Sequence, residues 1–483
     1  MNLPAQKLDF QRIAREAMVR EGFCPDFPPE VIAEVNAARA AATQNGGAGD
    51  LRGLMWSSID NPESRDLDQV EWAERLPGGR IRVLVGIADV DAVVGVDSAT
   101  DAHARANGTS VYTGGPVFPM LPERLSTDVT SLGQDADRQA MIMEFVVGSD
   151  GAVDCAEVSA GVLRNKARLN YEQVAGWLQN PASSSAAPAE VREQLLLQQE
   201  ASQRLKDFRR EHGALSFADT ESVPVVVGNV VQSFALESQN AARDIIENFM
   251  IAANVAMARF LRARQSPCLR RIVRTPKRWD RIQAIAASLG TRLPAEPDSK
   301  ALGGFLESRR QADPDHFPEL SLAVLKSLGP GEYVMEHPGA EHEGHFGLAV
   351  EDYTHSTAPN RRYADLAMQR LLKAALAQPS RMQDEAALSE LAAHCTEREA
   401  AARHVERFME KVAAAILLAP RVGQVFSAMV TGVAPKGVFA RLLTVPAEGR
   451  IMRGEKGLDV GQKITVRLTG VNPEKGFIDL EQD

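Results

Sequence analysis

Apolar positions along the chain follow three successive patterns: helical at the start, mixed through the body, and short-stranded at the end. Leu8, Ile13, Ala14, Ala17 and Met18 recur at helical spacing and predict an N-terminal helix. A Pro-rich break at 25–29 precedes a second predicted helix over 30–42. The glycines of 45–49 read as a linker, so a small helical unit is expected over 1–48, more a docking or packing element than a binding one. The apolar run 82–90 has the character of a buried strand. An amphipathic helix follows Tyr171, and 180–188, rich in Ser, Ala and Pro, reads as a surface loop. A long, mostly buried helix is predicted around 244–261. It carries Glu247 and Asn254 seven residues apart on one face, and a helix does not bury such groups without partners. A charged helix with an Ala-rich face runs through 397–411. From Val422 the pattern changes to strands at 424–433, 437–443, 449–452, 463–471 and 477–480, separated by Gly-rich turns. These predict a five-stranded OB-type barrel over 420–483. The class expected is α+β, with a mixed α/β body over 49–419 between the helical unit and the barrel.

Composition narrows the class of protein. A chain of 483 residues has room for about three domains. Its 44% hydrophobic and 24% charged content is that of an ordinary globular protein, not a disordered one. There is no uncharged apolar run of spanning length, and the start lacks a signal-peptide core. A cytoplasmic protein without membrane contact is expected, and a monomer is the simplest state. Cys24, Cys155, Cys268 and Cys395 show no metal spacing. His337, His342, His345 and His355 lack the spacing of a closed zinc site, so they are read as structural or supporting groups. The net charge of −10 argues mildly against a nucleic-acid partner, but the balance is uneven. Residues 421–483 carry nine Lys/Arg against seven Asp/Glu, while the remainder carries 45 against 57. An acidic body with a locally basic end suits an enzyme with an acidic metal site and local polymer-binding surfaces.

The candidate chemistry lies in 58–69, Ser-Ile-Asp-Asn-Pro-Glu-Ser-Arg-Asp-Leu-Asp-Gln. Asp66 and Asp68 point to one side of an extended segment, and the Asn-Pro turn can fold Asp60 back toward them. Crowded carboxylates repel unless a cation lies between them, and Mg²⁺ prefers such hard oxygen ligands. On spacing alone, a solvated acidic loop remains the alternative.

This stretch resembles the signature of the RNase II/RNase R family of exoribonucleases, whose pattern ends in two adjacent aspartates where this chain has Asp68-Gln69. Other family-like motifs are IADV (87–90), GTSVY (108–112), PMLPERLS (119–126), KARLNY (166–171), HGALSF (212–217), ENFMIAAN (247–254), HFGLA (345–349) and TAPNRRYAD (357–365). The end of the chain is similar to the RNA-binding domain of ribosomal protein S1. The resemblance runs from about residue 51 to the C-terminus.

The resemblance implies a mixed α/β RNB catalytic domain holding Mg²⁺ or Mn²⁺ through Asp60, Asp66 and Asp68. Gln69 would lend a neutral carbonyl where the family has a charge, so weaker metal binding with activity retained is expected. Arg361 would stabilise the transition-state phosphate, with Arg362 second. Tyr112 and Phe217 would stack bases, although Phe217 alone reads as core. Glu247 and Tyr171 would contact ribose hydroxyls, and Glu406 would lie near the RNA end. Asp89 either faces the metal or caps its strand. On the barrel, Phe426, Lys436, Phe439 and Arg441 would form the binding face, with barrel core as the competing reading of Phe426. The implied activity is hydrolytic 3′-to-5′ degradation of single-stranded RNA from its 3′ end, and structured RNA is a further candidate. The products would be nucleoside 5′-monophosphates and a short oligonucleotide. Gln69 keeps open a catalytically silent RNA-binding regulator. A weaker alternative is a phosphodiesterase acting on short oligonucleotides or DNA.

Overall fold

The computed structural model describes residues 9–39, 49–182, 187–217, 220–314, 316–337, 339, 343–377, 384–435 and 437–483. Helix α1 (Phe10–Arg20) starts at Asp9, whose carboxylate accepts the Arg12 N–H. Its buried stripe, Phe10, Ile13, Ala14, Ala17 and Met18, is the one predicted, apart from Leu8, which lies outside the described residues. Helix α2 (Pro29–Ala37) stops five residues short of the expected end. Glu34 of α2 accepts the Ala99 and Thr100 N–H groups at the start of α3 (Ala99–Asn107). Both helices are therefore docked on the body.

The body is built on strands β1 (Gly49–Asp50), β2 (Trp56–Asp60), β3 (Gln69–Arg75), β4 (Ile81–Ala88), β7 (Asp137–Val147) and β8 (Val153–Asn170), with a small hairpin of β5 (Val111–Tyr112) and β6 (Val117–Phe118) outside it. Their order is β1-β8-β2-β3-β4-β7, and the first part of β8 also pairs with β7, so the sheet closes on itself. Strand β4 is a nearly continuous apolar run because both its faces are buried. Helices α4 (Tyr171–Gln179), α5 (Ala189–Glu211) and α6 (Ala241–Ala263) pack over the sheet. Strands β9 (Thr220–Val227) and β10 (Val230–Ser238) form a hairpin, and β11 (Cys268–Ile272) pairs with β12 (Glu332–Glu336). Between that last pair, α7 (Trp279–Ser288), α8 (Ser299–Ala312) and α9 (Phe317–Leu328) enclose a small core of their own.

Helix α10 (Tyr363–Ala377) leads to α11 (Glu385–Leu418), whose Ala-rich face serves two cores. Ala401, Ala402, Val405 and Met409 receive α1, while Ala414, Ala415 and Leu418 enter the barrel core. The barrel consists of β13 (Val425–Ala434), β14 (Gly437–Leu442), β15 (Glu448–Arg453), β16 (Lys463–Asn472) and β17 (Phe477–Gln482), closed in the order β13-β14-β15-β17-β16. All five strands lie within two residues of their predicted bounds. No helix among the described residues is long and apolar enough to cross a membrane.

Gly86 in β4 shows how tightly the closed sheet is filled. A Cβ there would meet Leu163 Cδ2 at 2.5 Å and Val70 Cγ2 at 3.1 Å, and all three positions are fully interior. Gly86→Val is expected to cost about 1–3 kcal/mol through overpacking, read as a lower midpoint in urea unfolding.

Candidate active site

Strand β2 ends at Asp60 and β3 begins at Gln69, so the acidic stretch is the connection between paired strands. Leu67 anchors it, only 2% exposed in the main core. The backbone around Leu67 is pinned on both sides. Leu67 N–H donates to Ser131 Oγ (3.1 Å), Ser131 Oγ donates to the Arg65 carbonyl (2.8 Å), and Ala88 N–H donates to the Asp68 carbonyl (2.9 Å). With Leu67 buried, Asp66 and Asp68 face the opposite side. Asp60, Asp66, Asp68 and Gln69 thereby line one cavity of about 290 Å³, together with Tyr112, Tyr171, Arg243, Thr357 and Arg361.

Desolvation dominates the electrostatics of this cavity. Burial pushes the Asp68 carboxyl up to about 7; Asp66 and Asp365 add to the rise, while Arg361 and the Asn360 N–H oppose it. Asp66 is also raised, by burial first and by Asp60, against the pull of Arg361. Asp68 Oδ1 accepts from both the backbone N–H (3.1 Å) and side-chain amide (2.9 Å) of Asn360. Its Oδ2 lies 3.8 Å from Arg361 Nε, an ion pair without a hydrogen bond.

Among the described residues, no three carboxylate, imidazole or thiolate groups converge into a ready-made metal cage. Existing bonds explain this. Asp60 Oδ1 accepts from Asn61 N–H (2.7 Å) and Ser64 Oγ (2.8 Å), and Asp68 Oδ1 is occupied by Asn360. The donor set is nonetheless all oxygen, crowded and repulsive. It fits a hard divalent cation once the side chains turn toward it.

Arg361 reaches the cavity because its neighbours are tied elsewhere. Arg362 Nη2 donates to Asp365 Oδ1 (2.7 Å), which also accepts the Ala358 N–H (2.8 Å). Arg362 is thus a buttress of the turn and lines a neighbouring cavity of about 230 Å³ with Tyr112 and Glu406. The Ser110 N–H donates to the Arg361 carbonyl and the Tyr363 N–H to that of Gly108, which brings Tyr112 beside Arg361. Glu406 Oε1 accepts the Tyr112 N–H (3.2 Å). From Tyr112 a groove of about 920 Å³ continues to the barrel past Lys326, Arg407, Lys411 and Arg441. Across the site, the Arg243 guanidinium lies over the Tyr171 ring at 4.6 Å.

Several expected roles find different surroundings. Glu247 is exposed, bonded by Gln239 (2.8 Å), and outside the cavity. Asn248 is buried instead, donating to Ser202 Oγ (2.9 Å) of α5 and to the Asp244 carbonyl (2.7 Å). Asn254 is buried as expected and accepts the Ser356 N–H (2.8 Å). Phe217 packs against the α7–α9 core and does not line the cavity. Phe426 is 4% exposed in the barrel interior, so the core reading holds, whereas Phe439 is half-exposed on the outer face of β14. Asp89 pairs with Lys373 Nζ (2.6 Å) and accepts the Ala92 N–H, which makes it a cap rather than a metal-facing group. His355 is partly buried and bonded to the Tyr333 hydroxyl (2.8 Å), and loss of solvent lowers the pKa of both it and His345. Lys436 and His342 lie outside the described residues. Sequence reasoning missed Arg243, which carries no local signal, and Asn360, which was read only as part of the TAPNRRYAD motif.

Comparison with known proteins agrees with this architecture. Residues 49–378 match the RNB domain, and 424–483 match the RNase II-type exonuclease C-terminal S1 domain. Ribonuclease R of Thermotoga maritima is 32% identical over 86% of this chain, and the chain spans 60% of that relative's length. The structure of Mycoplasma genitalium RNase R with ribose-methylated single-stranded RNA superposes with a TM-score of 0.90 at 22% identity, covering 98% of this chain and 78% of that one. Yeast Ssd1, described as a pseudonuclease, superposes at 0.71 with 15% identity, covering 91% and 55%.

The raised Asp68 carboxyl has a consequence for stability. It binds a proton more tightly folded than unfolded, so its contribution is present below about pH 4 and is lost as pH rises through about 7. In EDTA, urea unfolding between pH 4.5 and 7.5 should cost the wild type more stability than Asp68→Asn, by roughly 3–4 kcal/mol at most. Equal losses in the two proteins would contradict the burial of an ionisable Asp68.

Proposed function

The chain belongs to the RNB-domain family of RNase II and RNase R, and on that premise we propose that it is a metal-dependent hydrolytic exoribonuclease acting on RNA 3′ ends. The observation that carries this reading is the gathering of Asp60, Asp66, Asp68, Tyr112, Tyr171 and Arg361 around one cavity. A groove of mixed charge, lined by Lys326, Arg407, Lys411 and Arg441 and by Glu406, Glu410 and Glu448, leads from Tyr112 to the barrel, and its length supports a polymeric substrate.

Bound divalent ions, Mg²⁺ or Mn²⁺, supply an activated water, neutralise phosphate charge and assist the leaving 3′-oxygen. Asp60, Asp66 and Asp68 are the residues that hold them, with the Gln69 carbonyl as a neutral ligand. Asn360 holds Asp68 through Oδ1, which leaves Oδ2, 3.8 Å from Arg361 Nε, as the oxygen available to a cation. Arg361, at the cavity mouth, donates to the scissile phosphate as charge builds on its oxygens. Tyr112 offers a face for the terminal bases, and Tyr171, steadied by Arg243, lies where the last ribose would sit. Contacts to 2′-hydroxyls favour RNA over DNA. Release of nucleoside 5′-monophosphates ends when the oligonucleotide no longer reaches both the barrel and the cavity.

With purified protein, 5′-labelled single-stranded RNA should shorten to an oligonucleotide end product in Mg²⁺ or Mn²⁺, and EDTA should stop the reaction. Asp68→Asn should abolish cleavage with RNA binding retained, and Arg361→Ala should lower kcat by roughly 10²–10³-fold. Intact RNA at every metal concentration, with a persistent gel shift, would instead make this a silent RNA-binding protein.

A further inference from the structure

We propose that Glu71 is the fourth carboxylate of the metal site and supplies the negative charge that Gln69 lacks. This deepens the reading above and rests on it. Glu71 is two residues beyond Gln69 in β3, so both side chains project from the same face of the strand. Gln69 lines the cavity, and Glu71 lies behind it without lining it. Glu71 is fully buried, and among the described residues neither of its carboxylate oxygens has a hydrogen-bond partner.

Among the described residues, no side chain bonds its carboxylate. Ser57, opposite it on β2, has an unpartnered Oγ, and Gln198 of α5 has an unpartnered Oε1. The Gln198 amide reaches only the Glu71 backbone carbonyl, at 3.4 Å. The charged group that acts on Glu71 is Asp60, and Glu71 in turn acts on the Tyr171 hydroxyl; both line the cavity. An acid in a core, without a partner, destabilises the fold, and an apolar side chain at this position would avoid that loss. A cation entering between Asp60 and Gln69 is the partner this carboxylate lacks. Positions two apart on a strand are separated by about 6.6–6.8 Å, a distance a turned glutamate side chain largely spans. The charge absent at 69 is thereby present at 71, reaching the cation directly or through the Gln69 amide and a bridging water.

Mn²⁺ binding to the full-length protein, counted by electron paramagnetic resonance and calorimetry, tests this without reference to activity. Wild type is compared with Glu71→Gln and with Gln69→Asp/Glu71→Gln, and melting in EDTA confirms that each is folded. Glu71→Gln should lose roughly tenfold or more in Mn²⁺ affinity, and the double variant should recover most of it. If Glu71→Gln does not fold, Glu71→Met reads the same loss. Unchanged binding by Glu71→Gln overturns the proposal and leaves a buried hydrated cluster with Ser57 and Gln198. Weakened binding that Gln69→Asp does not restore also overturns it, since the defect is then structural. A wild type that binds Mn²⁺ and degrades RNA, while Glu71→Gln binds equally, removes this inference alone. A wild type that binds no Mn²⁺ removes both readings.

Discussion

Carboxylates held close together out of water are the constraint on which the rest of the structure depends. Asp66 and Asp68 both resist ionisation because burial and neighbouring negative charge work in the same direction. A loose loop would relieve that tension by swinging into solvent. Here it cannot, because Leu67 is locked in the core and the backbone on either side is bonded to Ser131 and to the end of β4. The closed sheet provides the rigid rim from which the loop hangs. The stored repulsion is what gives a cation its affinity for such a site.

The surrounding elements serve to bring distant segments to that rim. The turn before α10 presents Arg361 because Arg362 and Asp365 brace it from within. Backbone bonds from 108–110 to the same turn bring Tyr112 into the cavity beside Arg361. Helix α11 joins the periphery, receiving α1 along one part of its length and the barrel at its end. Arg441 of β14 bonds Glu319 of α9 (2.6 Å), so the barrel is also held to the α7–α9 lobe. The groove toward the site is thus bounded by elements from several parts of the chain.

Local pattern was enough for much of this. The barrel strands, the α1 stripe, the buried run of β4 and the long α6 each follow from apolar periodicity and turn residues, which act over a few positions. The acidic stretch was visible for the same reason, but its spacing alone left a solvated loop as the alternative, and the family resemblance singled it out. Family resemblance then carried Tyr112, Tyr171 and Arg361 to the cavity where the fold places them.

What the sequence determined by itself was therefore which segments are helix, strand or loop, and which short stretches were candidates for the chemistry. Only the tertiary structure decided which side of α6 faces inward, leaving Glu247 in solvent and Asn248 inside. It also settled that Asp89 meets Lys373, that Phe426 fills the barrel and that Phe217 joins a separate core. Asn360 became the group that orients Asp68 only through a contact between residues 292 positions apart. Glu71 was one of two glutamates in β3 until the packing of β2 and α5 left it, among the described residues, without a hydrogen-bond partner. Periodicity describes the order of residues along one element, whereas a partner is chosen by the surfaces that other elements bring to it.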